Sequence, residues 1–197
     1  MFEFRQQRAR WTAKLAGVRL SSRAPWEQER RIVGMVASPV ENLSIVLLKL
    51  DRAVQLSDFV RSVCLAPQTR PETECVGLGW DSSEGELRVT PLSSVSPTHC
   101  QAETEGPSTA LCMEELAGTD GCGGEMMAGH GLMCESSPGS GQWQLVGVSA
   151  WRRGCGSLGQ RPRQYDLVGR TKDWVESVIY RDQQAGQHSH HPRRRFG

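Results

Sequence analysis

Few side chains in this 197-residue sequence are of the type and spacing that do chemistry. His130 lies between Cys122 and Cys134, and an imidazole beside a thiol is the raw material of a covalent nucleophile. The tail histidines His188, His190 and His191 are metal-ligand types, but no cysteine or carboxylate stands at ligand spacing from them. They read as a solvated tail, and no metal or cofactor is expected. Asn42-Leu43-Ser44 has the form of a glycosylation acceptor. Arg193-Arg194-Arg195 is too short a basic run to argue for nucleic acid. The seven cysteines, Cys64, Cys75, Cys100, Cys112, Cys122, Cys134 and Cys155, are widely spaced, which indicates an oxidising compartment.

The composition sets the frame. Hydrophobic residues make up 38% and aromatics 6%, enough for one ordinary core. Gly 21 and Pro 10, with short apolar runs, favour a turn-rich β protein. Lys and Arg (23) nearly balance Asp and Glu (22), so no global field points to nucleic acid or membrane. No apolar stretch approaches the roughly 20 residues of a membrane span. The charged N-terminus, Met1 to Arg10, lacks the apolar core of an export signal, which conflicts with the cysteines. Two readings stand: an N-terminal part, carrying the signal, that this chain does not include, or a cytosolic protein with reduced cysteines.

Several elements must position such residues. Glu29–Val36 reads as a strand, and Ile45–Leu50 is a continuous apolar run of buried-strand length. Pro39 and Asn42 supply the turn between them. Further strands are expected at Glu74–Trp80, Glu86–Leu92, Gly131–Cys134 and Trp143–Ser149. One helix is expected at Thr171–Tyr180, with Trp174, Val175, Val178 and Ile179 at helical spacing and Thr171 capping its start. Residues 1–16 read as a poorly ordered segment, 17–181 as the folded domain, and 182–197 as a disordered His/Arg-rich tail.

Four strings now carry a resemblance. Ile45–Leu50, with the segment running on to Cys64-Leu65, resembles the strand and loop after the catalytic aspartate of the trypsin-like serine proteases (peptidase family S1). Cys75-Val76-Gly77-Leu78-Gly79-Trp80 is similar to that family's Cys-x-x-x-Gly-Trp-Gly turn, with Asp81 in place of the last glycine. Leu145-Val146-Gly147-Val148-Ser149-Ala150-Trp151 resembles the wall of its substrate cleft, and Asp173-Trp174-Val175 resembles the opening of its C-terminal helix. The resemblance runs from about Trp11 to Tyr180. It implies an all-β double barrel with an incomplete first barrel, a complete second barrel and a C-terminal helix. It also implies the disulfides Cys75–Cys134, Cys100–Cys112 and Cys122–Cys155, which would leave neither Cys122 nor Cys134 as a nucleophile. Cys64 is then odd, and two readings stand: a free buried thiol, or a bridge to a segment or partner outside the domain.

An active member needs a nucleophilic serine, a histidine that takes its proton and a buried aspartate that orients the histidine. The family's histidine string lies upstream of where the resemblance begins, and no such string occurs here. Ser44 stands where the aspartate would begin the string Ser44-Ile45-Val46-Leu47-Leu48-Lys49-Leu50. Counting back from Cys134, Ala128 holds the serine position and Met127 the position of the aspartate that pairs with the new N-terminal amine. Cys122 to Cys134 is about two residues longer than the family usual, yet no serine lies between them in any register. For the pocket, the resemblance places Asp120 at the floor and Trp151 on the wall, with Arg152 and Arg163 where two glycines would keep the entrance open. Either Arg152 or Arg163 folds inward onto Asp120, or both point to solvent.

These readings imply a non-catalytic serine-protease-like domain, acting outside the cell or in the secretory pathway as a protein-interaction module for a partner that nothing in the sequence names. Its exposed loops, Pro67–Glu74, Asp81–Glu86 and Glu135–Gln142, would carry the contacts. The alternatives are a truncated product of a longer protease without activity of its own, and a residual serine endopeptidase. The expected partners include no nucleic acid, and Cys64 is the one candidate for a covalent partner.

Overall fold

The computed structural model describes residues 5–6, 11–67, 73–80, 85–96, 110–115, 129–149 and 163–188. Eleven strands, a 3-10 turn and one α-helix occur among them. The strands are β1 (Arg5–Gln6), β2 (Thr12–Leu15), β3 (Gln28–Ala37), β4 (Val46–Leu50), β5 (Cys64–Leu65), β6 (Cys75–Trp80), β7 (Leu87–Ser94), β8 (Leu111–Glu115), β9 (Gly131–Glu135), β10 (Trp143–Ser149) and β11 (Arg163–Leu167). A 3-10 turn, Val168–Thr171, leads into α1 (Lys172–His188).

The second half closes on itself. β8, β7, β6, β9, β10 and β11 form an antiparallel ring, sealed because β11 pairs with both β8 and β10. Closure matters physically, since it removes the unpaired edges that an open sheet would present. β5 adds a short parallel strand beside β10. Inside lies a core of Cys75, Leu92, Leu111, Met113, Leu132, Cys134, Val146 and Tyr165, with Ala66 at its margin. The disulfide Cys75–Cys134 joins facing residues of β6 and β9 within that core, as the resemblance implied. Cys112 is also disulfide-bonded, while its expected partner Cys100, with Cys122 and Cys155, lies outside the described residues.

The first half is an open sheet in which β3 is central. β4 lies along one side of it, and β1 and β2 pair with successive parts of it. Period-2 patterning explains β3: Arg30, Ile32, Gly34 and Val36 are buried, while Glu29, Arg31 and Val33 are exposed. A buried arginine in that row is tolerable because each of its three guanidinium nitrogens has a partner. Arg30 donates to Ala53 O at 3.0 Å, Glu29 O at 2.9 Å and Gln28 Oε1 at 2.6 Å. A second apolar cluster, Val36, Ile45, Val168, Trp174 and Val178, seats the helix against this sheet.

Four sequence expectations change here. The run Ile45–Leu50 is not a strand buried on both faces: Val46 and Leu48 are 46% and 44% exposed. Only one face of β4 meets the helix, and among the described residues only β3 pairs with it. Residues 12–15 form a strand within the segment read as poorly ordered, because β3 offers them an edge to pair with. Thr171 does not cap the helix: it closes the 3-10 turn, and its hydroxyl donates back to Val168 O at 2.8 Å. The helix itself continues to His188, past the boundary set at 181, since a polar sequence rich in helix formers does not stop a helix already anchored at Trp174 and Val178.

Candidate functional site

The sheets meet where Ser44 enters β4. The Ser44 backbone N–H donates to Asp166 Oδ2 at 2.8 Å, across 122 residues of sequence. Asp166 lies on β11 between Tyr165 and Leu167, which face the barrel core, so its own side chain projects toward the first sheet. It is 2% exposed, and its Oδ1 is buried and accepts no hydrogen bond from the described residues. Ser44 itself is exposed. The sequence reading placed Ser44 where the family's aspartate would stand, and it did not anticipate the carboxylate that β11 brings to the backbone of that residue. The available signal was an aspartate inside an otherwise barrel-directed strand, since a buried polar residue is the informative kind.

Gly129 and His130 lead into β9 and mark the end of the segment that would hold the nucleophile. They are tied to the end of β10: Gly129 N–H donates to Ser149 O at 2.9 Å, His130 N–H to Ser149 Oγ at 2.9 Å, and Ser149 N–H to His130 O at 2.8 Å. The His130 ring is buried and lies on Gly79, where a Cβ would come within 2.1 Å of Nδ1. Only glycine at residue 79 leaves room for it. The imidazole is therefore packed into the end of the barrel. Burial lowers its pKa, and the positive Arg163 lowers it further. With Cys134 in a disulfide, the pairing of His130 with a Cys134 thiolate is excluded.

A group whose pKa is depressed in the fold favours the neutral form there. The stability this represents is present above the unfolded value of about 6.5 and is lost as pH falls below it, toward the lower folded pKa. The chain is expected to lose stability between about pH 7 and about pH 5, and His130→Gln to lose less over the same interval. Urea midpoints at the two pH values measure the difference.

Arg163 is held by a carboxylate of the barrel wall. It forms an ion pair with Glu115 of β8, both side chains being largely buried. Its place in β11, opposite Met113, makes it part of the barrel wall. Asp120, the expected partner of Arg152 or Arg163, lies outside the described residues, as do Trp151, Arg152 and Ala128. Asn42 is exposed at a turn with φ of 61°, a left-handed conformation that asparagine tolerates, so its amide is open to modification. Cys64 is free and exposed, which corrects the buried alternative. Among the described residues no cluster of three metal-ligand types occurs, and no helix is long and apolar enough to cross a membrane.

A six-stranded closed barrel beside a second β-sheet, with a C-terminal helix packed on that sheet, is the architecture of a trypsin-like domain. The sequence model of the family described as Trypsin matches residues 9–175, and the chain belongs to that family of serine proteases. It is 32% identical over 185 residues to transmembrane protease serine 9 of Rattus norvegicus, covering 86% of this chain and 17% of that protein. It is 30% identical over 144 residues to coagulation factor XI of Bos taurus, covering 66% of this chain and 22% of the relative. Serine protease 56 of Homo sapiens is 35% identical over 149 residues, covering 68% and 24%. The chain thus spans less than a quarter of the length of each of these relatives.

Proposed function

We propose that this trypsin-like domain is non-catalytic and acts in the extracellular or secretory compartment as a protein-interaction module. The observation that carries the reading is the absence of any serine from Cys122 to Cys134, whatever the register. Without a hydroxyl nucleophile in that segment the acyl-transfer chemistry of the family has no attacking atom. The disulfide Cys75–Cys134 supports an oxidising compartment. Of the three candidate contact loops, Glu135–Gln142 is described throughout, and it is both exposed and ordered. The Glu135 carboxylate accepts from Gly139 N–H at 2.7 Å and Gly141 N–H at 3.2 Å, and Ser136 N–H donates to Gln142 O at 2.8 Å. A loop held from within keeps one shape for a partner and loses little entropy on binding.

A second reading, that the chain works only as part of a longer polypeptide, is favoured by the outer side of the first sheet. Val33, Val46 and Leu48 are exposed there, an apolar face that another segment would cover. The test of the main reading is a fluorophosphonate probe, which esterifies an activated serine. The secreted chain is expected to take up no probe under conditions that label an active serine peptidase. Stoichiometric labelling of any serine would overturn the proposal.

A further inference from the structure

The carboxylate at the sheet junction is the group that the rest of the molecule does not explain. An ionised carboxylate offers two oxygens with about four acceptor positions. Asp166 uses one of them, on the Ser44 amide, and its Oδ1 is buried without a hydrogen bond from the described residues. A carboxyl group 2% exposed and so sparsely hydrogen-bonded is costly unless a further donor completes it. Its location gives it meaning. Asp166 touches the backbone of residue 44, the position at which the family's aspartate is replaced by serine. We infer that Asp166 supplies from β11 the negative charge that residue 44 lacks, and that Oδ1 is the acceptor for a cationic N–H donor, such as an imidazolium, presented at the junction of the two sheets. The site keeps its charge while changing the strand that delivers it.

This inference rests on the position of Ser44 and the geometry of Asp166, and holds whether or not the chain hydrolyses peptides. A double-mutant cycle in urea, at neutral pH, tests it with the whole chain. Ser44→Asp adds a second carboxylate to the residue whose backbone amide Asp166 holds and is expected to lower the folding equilibrium constant about tenfold through like-charge repulsion. In the Asp166→Asn background, which keeps an acceptor for the Ser44 amide, the same substitution is expected to have almost no effect. Equal effects of Ser44→Asp in both backgrounds would overturn the inference. If Ser44→Asp does not fold, imidazole titrated into the parent chain and Asp166→Asn decides, read on the Ser44 amide resonance. A saturable shift in the parent alone supports the site, and an identical response, or none in either, rejects it.

Discussion

Replacing Cys75 and Cys134 together with alanine is expected to destabilise the chain by about 4 kcal/mol, the loop-closure entropy that a crosslink spanning some 60 residues removes from the unfolded chain. The two cysteines are separated by 59 residues and lie opposite one another on β6 and β9, the pair of strands from which both halves of the barrel wall extend. They are 4% and 1% exposed, so the substitution also leaves room beside Leu92, Leu132 and Tyr165. The effect should approach the whole stability of an ordinary domain, which is about 5–15 kcal/mol. Urea unfolding of the secreted double variant, followed by tryptophan fluorescence, measures it. A loss below about 1 kcal/mol would mean that the bond forms after a barrel already stable without it.

The second large effect is expected at Lys14, a residue with no role in the chemistry. Its ammonium is surrounded by the loop that follows β2: it donates to Arg19 O at 2.9 Å and to Ser22 O, and lies 3.1 Å from Glu27 Oε2. The Glu27 side chain is only 5% exposed. The lysine stem passes so close to Gly17 that a Cβ there would lie 2.9 Å from its Cε. Lys14→Met preserves the length of the stem and removes the charge, leaving Glu27 buried and unpaired. The pair is partly buried, with the Lys14 side chain 22% exposed, so breaking it is expected to cost about 1–3 kcal/mol, below the cost for a fully buried pair. Glu27→Gln added to Lys14→Met should restore most of the loss, because the uncompensated charge then disappears. Urea midpoints of the two variants, with the rate of proteolysis between residues 15 and 27, separate the charge effect from a general loss of packing.

These predictions fall on different parts of the sequence's legibility. The strands at 75–80, 87–94, 131–135 and 143–149 were evident because each is an apolar or alternating run bounded by glycine, proline or polar residues. β8 and β11 were not, since Leu111-Cys112-Met113-Glu114-Glu115 has an apolar run of only three residues and Arg163-Gln164-Tyr165-Asp166-Leu167 is short and mostly polar. They are strands because closure of the barrel gives each a partner on both sides, a condition that no local window contains. β2 escaped notice because only the edge of β3 makes it a strand, and with it the function of Lys14, whose three oxygens come from residues 5, 8 and 13 positions downstream.

Position-bound chemistry was legible in one dimension. The presence of Ser44, the lack of serine between Cys122 and Cys134, the cysteine framework and the order of the four strings are properties of the chain itself, and they point to the family without coordinates. Tertiary structure alone decided which groups meet. It turned the His130 ring onto Gly79, committed Arg163 to Glu115, and brought Asp166 to the amide of Ser44. The physical reason is that a side chain's chemistry is set by burial and by its nearest charges, and in a closed β-barrel those neighbours come from strands far apart in sequence.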